Sequence, residues 1–314
     1  MLSYAIRRLL GAIPTLLVII TLAFFMMRIA PGGPFDGERR LPPEIEANIM
    51  AAYDLDRPLY QQYFLYLGRL VQGDLGPSFR TRDFTVNEII ASGLPVSVRL
   101  GLSAITVALL LGTTLGVFAA LRQNRPSDYS VMTLAMVGIT IPSFVTAPLL
   151  TLLFGVYGIS LFGFEISLPV GGWNGGALRN MILPVTVLAL PQIAIIARLT
   201  RGSMVEVLRS NYVRTARAKG LSSFRVVTRH ALRAGLLPIV SYLGYGIAAL
   251  ATGSLVVEQI FGLPGIGRYF VQGALNRDYT LVLGVVIVYA ALIISLNLVA
   301  DLLYRVLDPR VSFE

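Results

Sequence analysis

The chain contains no cysteine, only one histidine and only one lysine among its 314 residues. Without cysteine it forms no disulfide and offers neither a thiolate metal ligand nor a cysteine nucleophile. The single histidine, His230, has no second imidazole for a zinc site, and its neighbours Arg229 and Arg233 disfavour it as a catalytic base. These absences predict a chain with no catalytic residue, no metal site and no cofactor of its own.

A phosphate-binding loop is missing as well. No Gly-Lys-Ser/Thr sequence occurs, and Lys219, the only lysine, is followed by Gly220 and Leu221. A Walker motif needs a lysine beside the phosphates and a hydroxyl residue beside their Mg²⁺. The chain is therefore not expected to bind ATP by a Walker motif.

Charged residues are scarce, at 14%, whereas 55% of the residues are apolar and the mean hydropathy is +0.72. This composition is typical of a protein that lies in lipid. In a soluble protein the net charge of +9 would indicate nucleic acid as a partner. Here the charges lie between apolar runs, so membrane topology accounts for them and no nucleic acid is expected.

Six apolar runs are long enough to cross a bilayer, which takes about 20 helical residues. The first run has about 19 residues, more than the apolar part of a signal peptide, and no A-x-A cleavage site follows it. We therefore predict an all-α membrane protein with six transmembrane helices at residues 9–27, 100–121, 131–156, 181–200, 236–257 and 280–304.

The distribution of basic residues predicts the orientation, because arginine and lysine stay in the cytoplasm during insertion. Nine basic residues lie between Arg198 and Arg233, and further arginines flank the termini and the second loop. The short loops on the opposite side contain only Arg179, Arg268 and Arg277. Both termini are therefore expected in the cytoplasm.

The spans divide the chain into three predicted parts. Residues 1–27 are the cytoplasmic N-terminus and the first span, and 28–95 form a small helical extracytoplasmic subdomain. Residues 96–314 form the remaining bundle, with a cytoplasmic loop at 198–235.

Two helix signals occur in the extracytoplasmic part. Pro58 begins an amphipathic helix over 59–72, and Thr85 with Glu88 has the spacing of a capping box for a short helix. The part is either a surface helix packed on the outer membrane face or a docking platform for an outside partner.

The basic loop contains start and stop signals for a helix about 12 Å long. Asn211 is a plausible cap for residues 212–219, and Gly220 is suited to end the helix in a left-handed conformation. Such a helix would present Tyr212, Val213 and Ala216 as a knob for a groove in another protein. The alternative is that the charges only fix topology or contact anionic lipid.

After the fifth span, the stretch 258–267 is either a Gly-Pro turn or a loop that closes the outer mouth of the bundle. The candidate gate residues are Glu258, Phe261, Gly262, Leu263, Pro264, Gly265 and Gly267. Near span ends, Glu258 and Asp301 can stay in contact with water.

Polar residues inside the spans can line a wet pathway or bond a neighbouring helix. These pathway candidates are Thr140, Ser143, Gln192, Ser241, Tyr242, Tyr245 and Asn297. Prolines inside several spans and the spacing Gly112-x-x-x-Gly116 suit either a bundle that rearranges or close static packing.

Several stretches together resemble the permease subunits of ATP-binding-cassette importers, in particular the B subunits of oligopeptide permeases, over essentially the whole chain. They are Gly37-Glu38-Arg39-Arg40-Leu41-Pro42-Pro43-Glu44, Gly171-Gly172-Trp173-Asn174-Gly175-Gly176, Tyr212-Val213-Arg214-Thr215-Ala216-Arg217-Ala218-Lys219-Gly220, Phe261-Gly262-Leu263-Pro264-Gly265-Ile266-Gly267 and Ala274-Leu275-Asn276-Arg277-Asp278-Tyr279.

The resemblance implies the type I importer permease fold in the bacterial inner membrane. It implies as partners a second homologous permease, two ATPases that bind ATP and Mg²⁺ in the cytoplasm, and an extracytoplasmic peptide-binding protein. Peptides are the implied cargo, with nickel, glutathione or dipeptides as alternatives. Substrate would then pass between this chain and the partner permease.

The third stretch resembles the family's ATPase-coupling helix, whose motif usually begins Glu-Ala-Ala and continues after three residues with Gly. Here Arg214 stands at the position of Glu and Thr215 follows it, which resembles the peptide and nickel branch. An arginine there would seek an acidic or carbonyl partner. The implied coupling residues are Asn211, Tyr212, Val213, Arg214, Thr215, Ala216, Arg217, Ala218, Lys219, Gly220 and Leu221.

Two other classes remain open from the residues alone. An ion-driven secondary transporter would want an acid near the centre of a span, and no predicted span has one. A membrane scaffold would use the basic loop only to bind lipid.

Overall fold

The computed structural model describes residues 2–29, 50–51, 53–81, 83–161 and 164–307. A two-stranded antiparallel hairpin, β1 (Ile159–Leu161) and β2 (Phe164–Ile166), pairs Ser160 with Glu165. The principal helices are α1 (Leu2–Ile29), α2 (Leu59–Val71), α3 (Val86–Leu121), α4 (Pro126–Thr140), α5 (Ser143–Leu150), α6 (Leu178–Leu208), α7 (Asn211–Ala218), α8 (Leu237–Ile260), α9 (Ile266–Leu275) and α10 (Tyr279–Leu307).

Each predicted span corresponds to a helix or to a pair of helices. Among the described residues, α1, α3, α6 and α10 are single helices long and apolar enough to cross a membrane, and α4 with α5 meets the same test as a bent pair. The sixth, α8, has 24 residues. At 1.5 Å per residue it is about 36 Å long, which exceeds the hydrocarbon thickness of about 30 Å.

The third predicted span, 131–156, is divided by a sharp bend. The chain bends by 104° between α4 and α5. Ile141, which precedes Pro142, has the extended ψ of 120° that a residue before proline prefers, and this ends α4. Pro142 then caps α5, which continues as a wide helical turn over Thr151–Val156.

The capping box at the start of α3 is confirmed, but the helix that it opens is not short. The N–H of Thr85 donates to Glu88 Oε2 at 2.8 Å, and the N–H of Glu88 donates to Thr85 Oγ1 at 3.3 Å. The helix then continues for 36 residues through Pro95 to Leu121. The predicted division at residues 95 and 96 therefore falls inside one continuous helix.

The centre of the bundle is the pair α3 and α6, which make the most extensive helix contact. Two glycines allow their backbones to approach: a Cβ on Gly112 would lie 2.8 Å from Ile196 Cβ, and one on Gly116 would lie 2.6 Å from the carbonyl oxygen of Ala197. Small residues spaced four apart permit such close packing in membranes. This contact gives the Gly112-x-x-x-Gly116 spacing a packing role.

Candidate coupling helix and gate loop

The candidate coupling helix α7 follows directly on the end of α6. It begins at Asn211, and Ser210 occupies the cap position with extended backbone. Neither residue's side chain caps the helix, because the Ser210 hydroxyl donates instead to the carbonyl of Val207 at 2.7 Å. The prediction of a helix is confirmed, and the prediction that Asn211 caps it is wrong.

The end of α7 is a complete Schellman motif. Gly220 has φ of +77°, the left-handed conformation that the sequence predicted for it. Its N–H donates to the carbonyl of Arg217 at 2.9 Å, and the N–H of Leu221 donates to the carbonyl of Ala216 at 3.4 Å. These bonds satisfy carbonyls that the helix end would otherwise leave unpaired.

The two faces of α7 have different surroundings. Val213 and Ala216 are buried in a cluster with Met204 of α6 and Ala120 of α3. The predicted knob is therefore wrong for these two residues, because their small apolar side chains attach α7 to its own chain. Exposed on the other face are Asn211, Tyr212, Arg214, Thr215, Arg217, Ala218 and Lys219.

The chain returns from α7 to α8 through three short helical turns, Ser223–Arg225, Val226–Ala231 and Leu232–Gly235. Val226 and Ala231 are buried in the same cluster as α7. The predicted basic loop therefore folds as a compact unit. Its first eleven residues, 198–208, belong to α6.

An ion pair connects α6 to the start of α4 near this unit. Arg201 Nε and Nη2 donate to the two oxygens of Asp128, both at 2.6 Å. Asp128 is fully buried and also accepts the N–H of Asn124 at 3.0 Å. A bidentate arginine fixes both distance and orientation, so the pair holds two spans together at one end.

The gate loop begins at the end of α8 with a second Schellman motif. Gly262 has φ of +63°, and the N–H of Leu263 donates to the carbonyl of Glu258 at 2.9 Å. Phe261 and Leu263 are buried, and Pro264 prevents the helix from continuing. The loop is thus a tight, packed turn.

The carboxylate of Glu258 caps helix α9 from inside the protein. Glu258 is fully buried, and its Oε2 accepts the N–H of Gly267 at 2.8 Å and that of Arg268 at 3.4 Å. Ser97 Oγ of α3 accepts the N–H of Ile266 at 3.0 Å. The first N–H groups of a helix lack partners and favour negative charge. The expectation that Glu258 stays in contact with water is wrong.

At two candidate gate positions only glycine fits, because neighbouring atoms lie too close for a side chain. A side chain on Gly265 would collide with the Glu258 carboxylate and Ser97 Oγ, and a Cβ on Gly267 would lie 2.7 Å from Leu255 Cα.

Near the end of α10, Asp301 forms an ion pair with Arg8 at 2.6 Å.

The glycine-rich stretch before α6 packs against the gate loop. The carbonyl of Phe261 accepts the N–H of Gly172 at 2.8 Å, and a Cβ on Gly171 would lie 2.7 Å from that same oxygen. Asn180 Nδ2 donates to both glycine carbonyls at 3.1 Å. Two motifs that are distant in sequence therefore form one structural unit.

The start of α10 is fixed to the segment between α2 and α3 by Asp278. This buried carboxylate accepts the N–H of Leu281 in its own helix at 3.2 Å. It also accepts the N–H of Phe79 at 3.1 Å and the hydroxyl of Ser78 at 2.5 Å. Asp278 is both a helix cap and a cross-link.

The pathway candidates do not all meet. Tyr242 donates to Gln192 Oε1 at 2.5 Å, and the Tyr242 and Tyr245 rings lie 5.8 Å apart. Ser241 is exposed on the same helix, and its hydroxyl is 3.4 Å from the carbonyl of Leu237.

The remaining pathway candidates lie elsewhere. Asn297 contacts α8 on another side, because a Cβ on Gly244 would lie 2.9 Å from Asn297 Oδ1. Thr140 and Ser143 flank the bend between α4 and α5, where Thr140 donates to the carbonyl of Met136 at 2.9 Å.

The stretch 37–44, used for the family resemblance, lies outside the described residues. Within the described ranges, no group of three His, Cys, Asp or Glu residues is arranged to hold a metal ion.

Sequence reasoning missed four residues that hold these units together: Ser97, Asp128, Arg201 and Asp278. Two had a local signal, because Asp278 directly precedes a helix start and Asp128 lies in the first turn of the helix that Pro126 begins. Ser97 and Arg201 had none, since their partners are distant in sequence.

Two family descriptions match the chain. "Binding-protein-dependent transport system inner membrane component" matches residues 112–313, and the N-terminal part of these membrane components matches residues 1–101. Among solved structures, an amino acid ABC transporter with histidines has a TM-score of 0.50 at 18% identity, over 72% of this chain and 95% of that chain. This last likeness concerns the fold alone.

Several curated relatives match over the full length. The chain is 55% identical to the oligopeptide transport system permease protein OppB of Escherichia coli K12, over 100% of both chains. It is 52% identical to OppB of Haemophilus influenzae over the same shares. It is 44% identical to the dipeptide transport system permease protein DppB of Bacillus subtilis, over 100% of this chain and 99% of that protein.

Proposed function

Because the chain belongs to the family of inner membrane components of binding-protein-dependent transport systems, we propose that it is the permease subunit of an ATP-driven oligopeptide importer. The higher identity to oligopeptide permeases than to the dipeptide permease supports oligopeptides as cargo. Competition for uptake tests this: peptides of three or more residues joined by ordinary peptide bonds compete, whereas dipeptides, nickel and the γ-linked tripeptide glutathione do not.

The working transporter contains this chain, a second homologous permease, two ATPase subunits and an extracytoplasmic peptide-binding protein. ATP and Mg²⁺ bind to the ATPases, where hydrolysis takes place. Both termini and α7 lie in the cytoplasm, in agreement with the excess of basic residues on that side. The extracytoplasmic segment before α3 contributes to docking the binding protein through residues outside α2.

The observation that carries the proposal is the two-sided environment of α7. Its buried face, Val213 and Ala216, fixes it to the ends of α3 and α6, and its exposed face presents Arg214, Arg217 and Lys219. A helix attached in this way transmits a push on its outer face to two central spans. These exposed positive charges are complementary to an acidic groove, which we expect on the ATPase.

Charge reversal tests the coupling role. In the assembled transporter, Arg214→Glu with Arg217→Glu should lower peptide uptake and the stimulation of ATPase activity by loaded binding protein roughly tenfold or more, because like charges then meet at the interface. The matched control is Arg125→Glu, an exposed arginine predicted on the same side, which should retain both activities. Normal uptake by the double variant would overturn the coupling role.

The gate loop is the proposed closure of the outer mouth. Glu258, Phe261 and Leu263 form its packed base, and the stretch at 171–172 packs against it. Motion of α8 would therefore move the loop and α9 together. The pair Gln192 and Tyr242, with Tyr245 beside it, is the polar group proposed to line the pathway.

A further inference from the structure

Helix α2 exposes an apolar face. Gln62 and Tyr66 are buried on its inner side. On the opposite side, Phe64 is 67% exposed and Val71 is 90% exposed. No residue of this outward face is charged, and its members are Tyr60, Gln61, Phe64, Leu65, Gly68 and Val71.

The depth of α2 is fixed by its contacts with α1. The hydroxyls of Tyr63 and Thr21 are 2.7 Å apart, and the ring of Phe24 packs edge-on against that of Tyr63 at 5.4 Å. Thr21 lies eight residues before Ile29, the end of α1, which corresponds to about 12 Å along the helix axis. Thr21 and Phe24 also belong to the apolar window of the first span. Helix α2 therefore lies beside the span.

Contacts with a second span, α10, place α2 at the same depth. Leu283 and Ile287 of α10 pack in the same cluster as Phe24 and Tyr66, and α10 begins at Tyr279. The contact therefore reaches the second and third turns of α10. Helix α2 lies against the ends of two spans, within their apolar stretches.

The surroundings of α2 are also apolar on the outside. Only 11% of the apolar window of α1 is buried in the chain, so α1 is at the periphery of the bundle. Its exposed Leu22, Met26 and Ile29 give the same kind of surface as the outward face of α2. The charges near α2 lie at its edge, where Arg69 and Arg57 both pair with Asp54, at 2.9 and 3.1 Å.

We propose that α2 is embedded in the lipid of the leaflet opposite the basic loop, with its outward face in contact with acyl chains. With 13 residues it is about 20 Å long and cannot span the bilayer. Its aromatic, uncharged face, with ion pairs at the edge, is the pattern of a helix in the membrane interface. In this position α2 anchors the segment that leads to α3.

Fluorescence quenching tests the proposal. This chain contains no cysteine, so an introduced cysteine is its single labelling site when the partner subunits are cysteine-free variants. Single variants Phe64→Cys and Val71→Cys carry an environment-sensitive thiol label in the assembled transporter, reconstituted in proteoliposomes. Lipids with a nitroxide on the acyl chain should quench these labels several-fold more strongly than aqueous iodide does.

The matched control is Asp56→Cys, an exposed position on the polar edge, where iodide should be the stronger quencher. Iodide quenching at positions 64 and 71 as strong as at position 56 would overturn the proposal. It would also be overturned if neither quencher reached these labels, because a protein segment or subunit would then cover the face. Val71 is almost fully exposed, so its substitution leaves folding intact, and retained peptide uptake confirms assembly.

Discussion

Gly220 and Glu258 illustrate how single residues end and begin helices in this protein. Gly220 is in the left-handed region with no atom near a hypothetical Cβ, so its requirement is one of backbone conformation and not of space. Glu258 places a buried carboxylate on the first N–H groups of α9. Such a cap contributes about 0.3–2 kcal/mol, and removing it would also leave the buried N–H of Gly267 without its partner.

The first prediction concerns Gly220. Gly220→Ala should lower the midpoint of thermal unfolding in detergent, because an L-residue in this conformation costs about 1–2 kcal/mol. Gly220→Asn should be milder, since asparagine tolerates the left-handed region. The control is Gly202→Ala in α6, which also has open space around it but a helical conformation. It should not lower the midpoint, since alanine is the better helix former. Equal losses at both glycines would refute the argument.

At the scale of elements, contacts between helices decide how α7 is connected to the bundle. Helix α6 joins three units: it packs on α3 through glycines, holds α4 through Arg201 and Asp128, and contacts α7 through Met204. In the proposed coupling, a displacement of α7 would reach α4 through α6 and this ion pair.

The second prediction concerns this ion pair. Asp128→Asn should destabilise the protein by about 1–3 kcal/mol, because Arg201 loses a charged partner and solvent reaches only part of its side chain. Arg201→Lys should lower stability too, since lysine cannot form the two-pronged contact. The measurement is the thermal midpoint together with peptide uptake.

A matched control for this pair is Arg198→Lys, an exposed arginine one turn earlier in α6. It should change neither stability nor uptake. If Asp128→Asn were as stable as the unmodified protein, the pair would have no mechanical role.

At the scale of the whole molecule, the described buried acids lie at helix ends with assigned partners. Asp128 pairs with Arg201, Glu258 caps α9 and Asp278 caps α10. None of them lies in the middle of a span, where an ion-driven transporter would need a charge.

The third prediction follows from this arrangement. The isolated chain, reconstituted in proteoliposomes under a proton or sodium gradient, should not accumulate peptide, whereas the complex with its partner subunits and ATP should. Gradient-driven uptake by the chain alone would contradict a subunit role. A pore-forming peptide serves as the control for vesicle integrity.

Much of the fold was predictable because local signals were strong. The capping box of Thr85 and Glu88, the helix after Pro58 and the stop at Gly220 were found where expected. Among the described residues, five of the six predicted runs lie in helices that meet the length and hydropathy test for a span, one of them as a bent pair. The coupling, gate and pathway roles stay predictions. The bend at Pro142 shows the limit: proline predicted a kink, but its angle depends on what α4 and α5 pack against.

The sequence by itself determined which segments are long and apolar enough to cross a bilayer, because hydrophobic length and charge act locally along the chain. It also determined where helices end, since glycine and proline restrict the backbone at their own positions. Only the tertiary structure decided which face of α7 is buried and that Glu258 caps α9. It also decided that Asp128 meets Arg201, 73 residues away. These contacts depend on packing between distant segments, which periodicity and spacing do not encode.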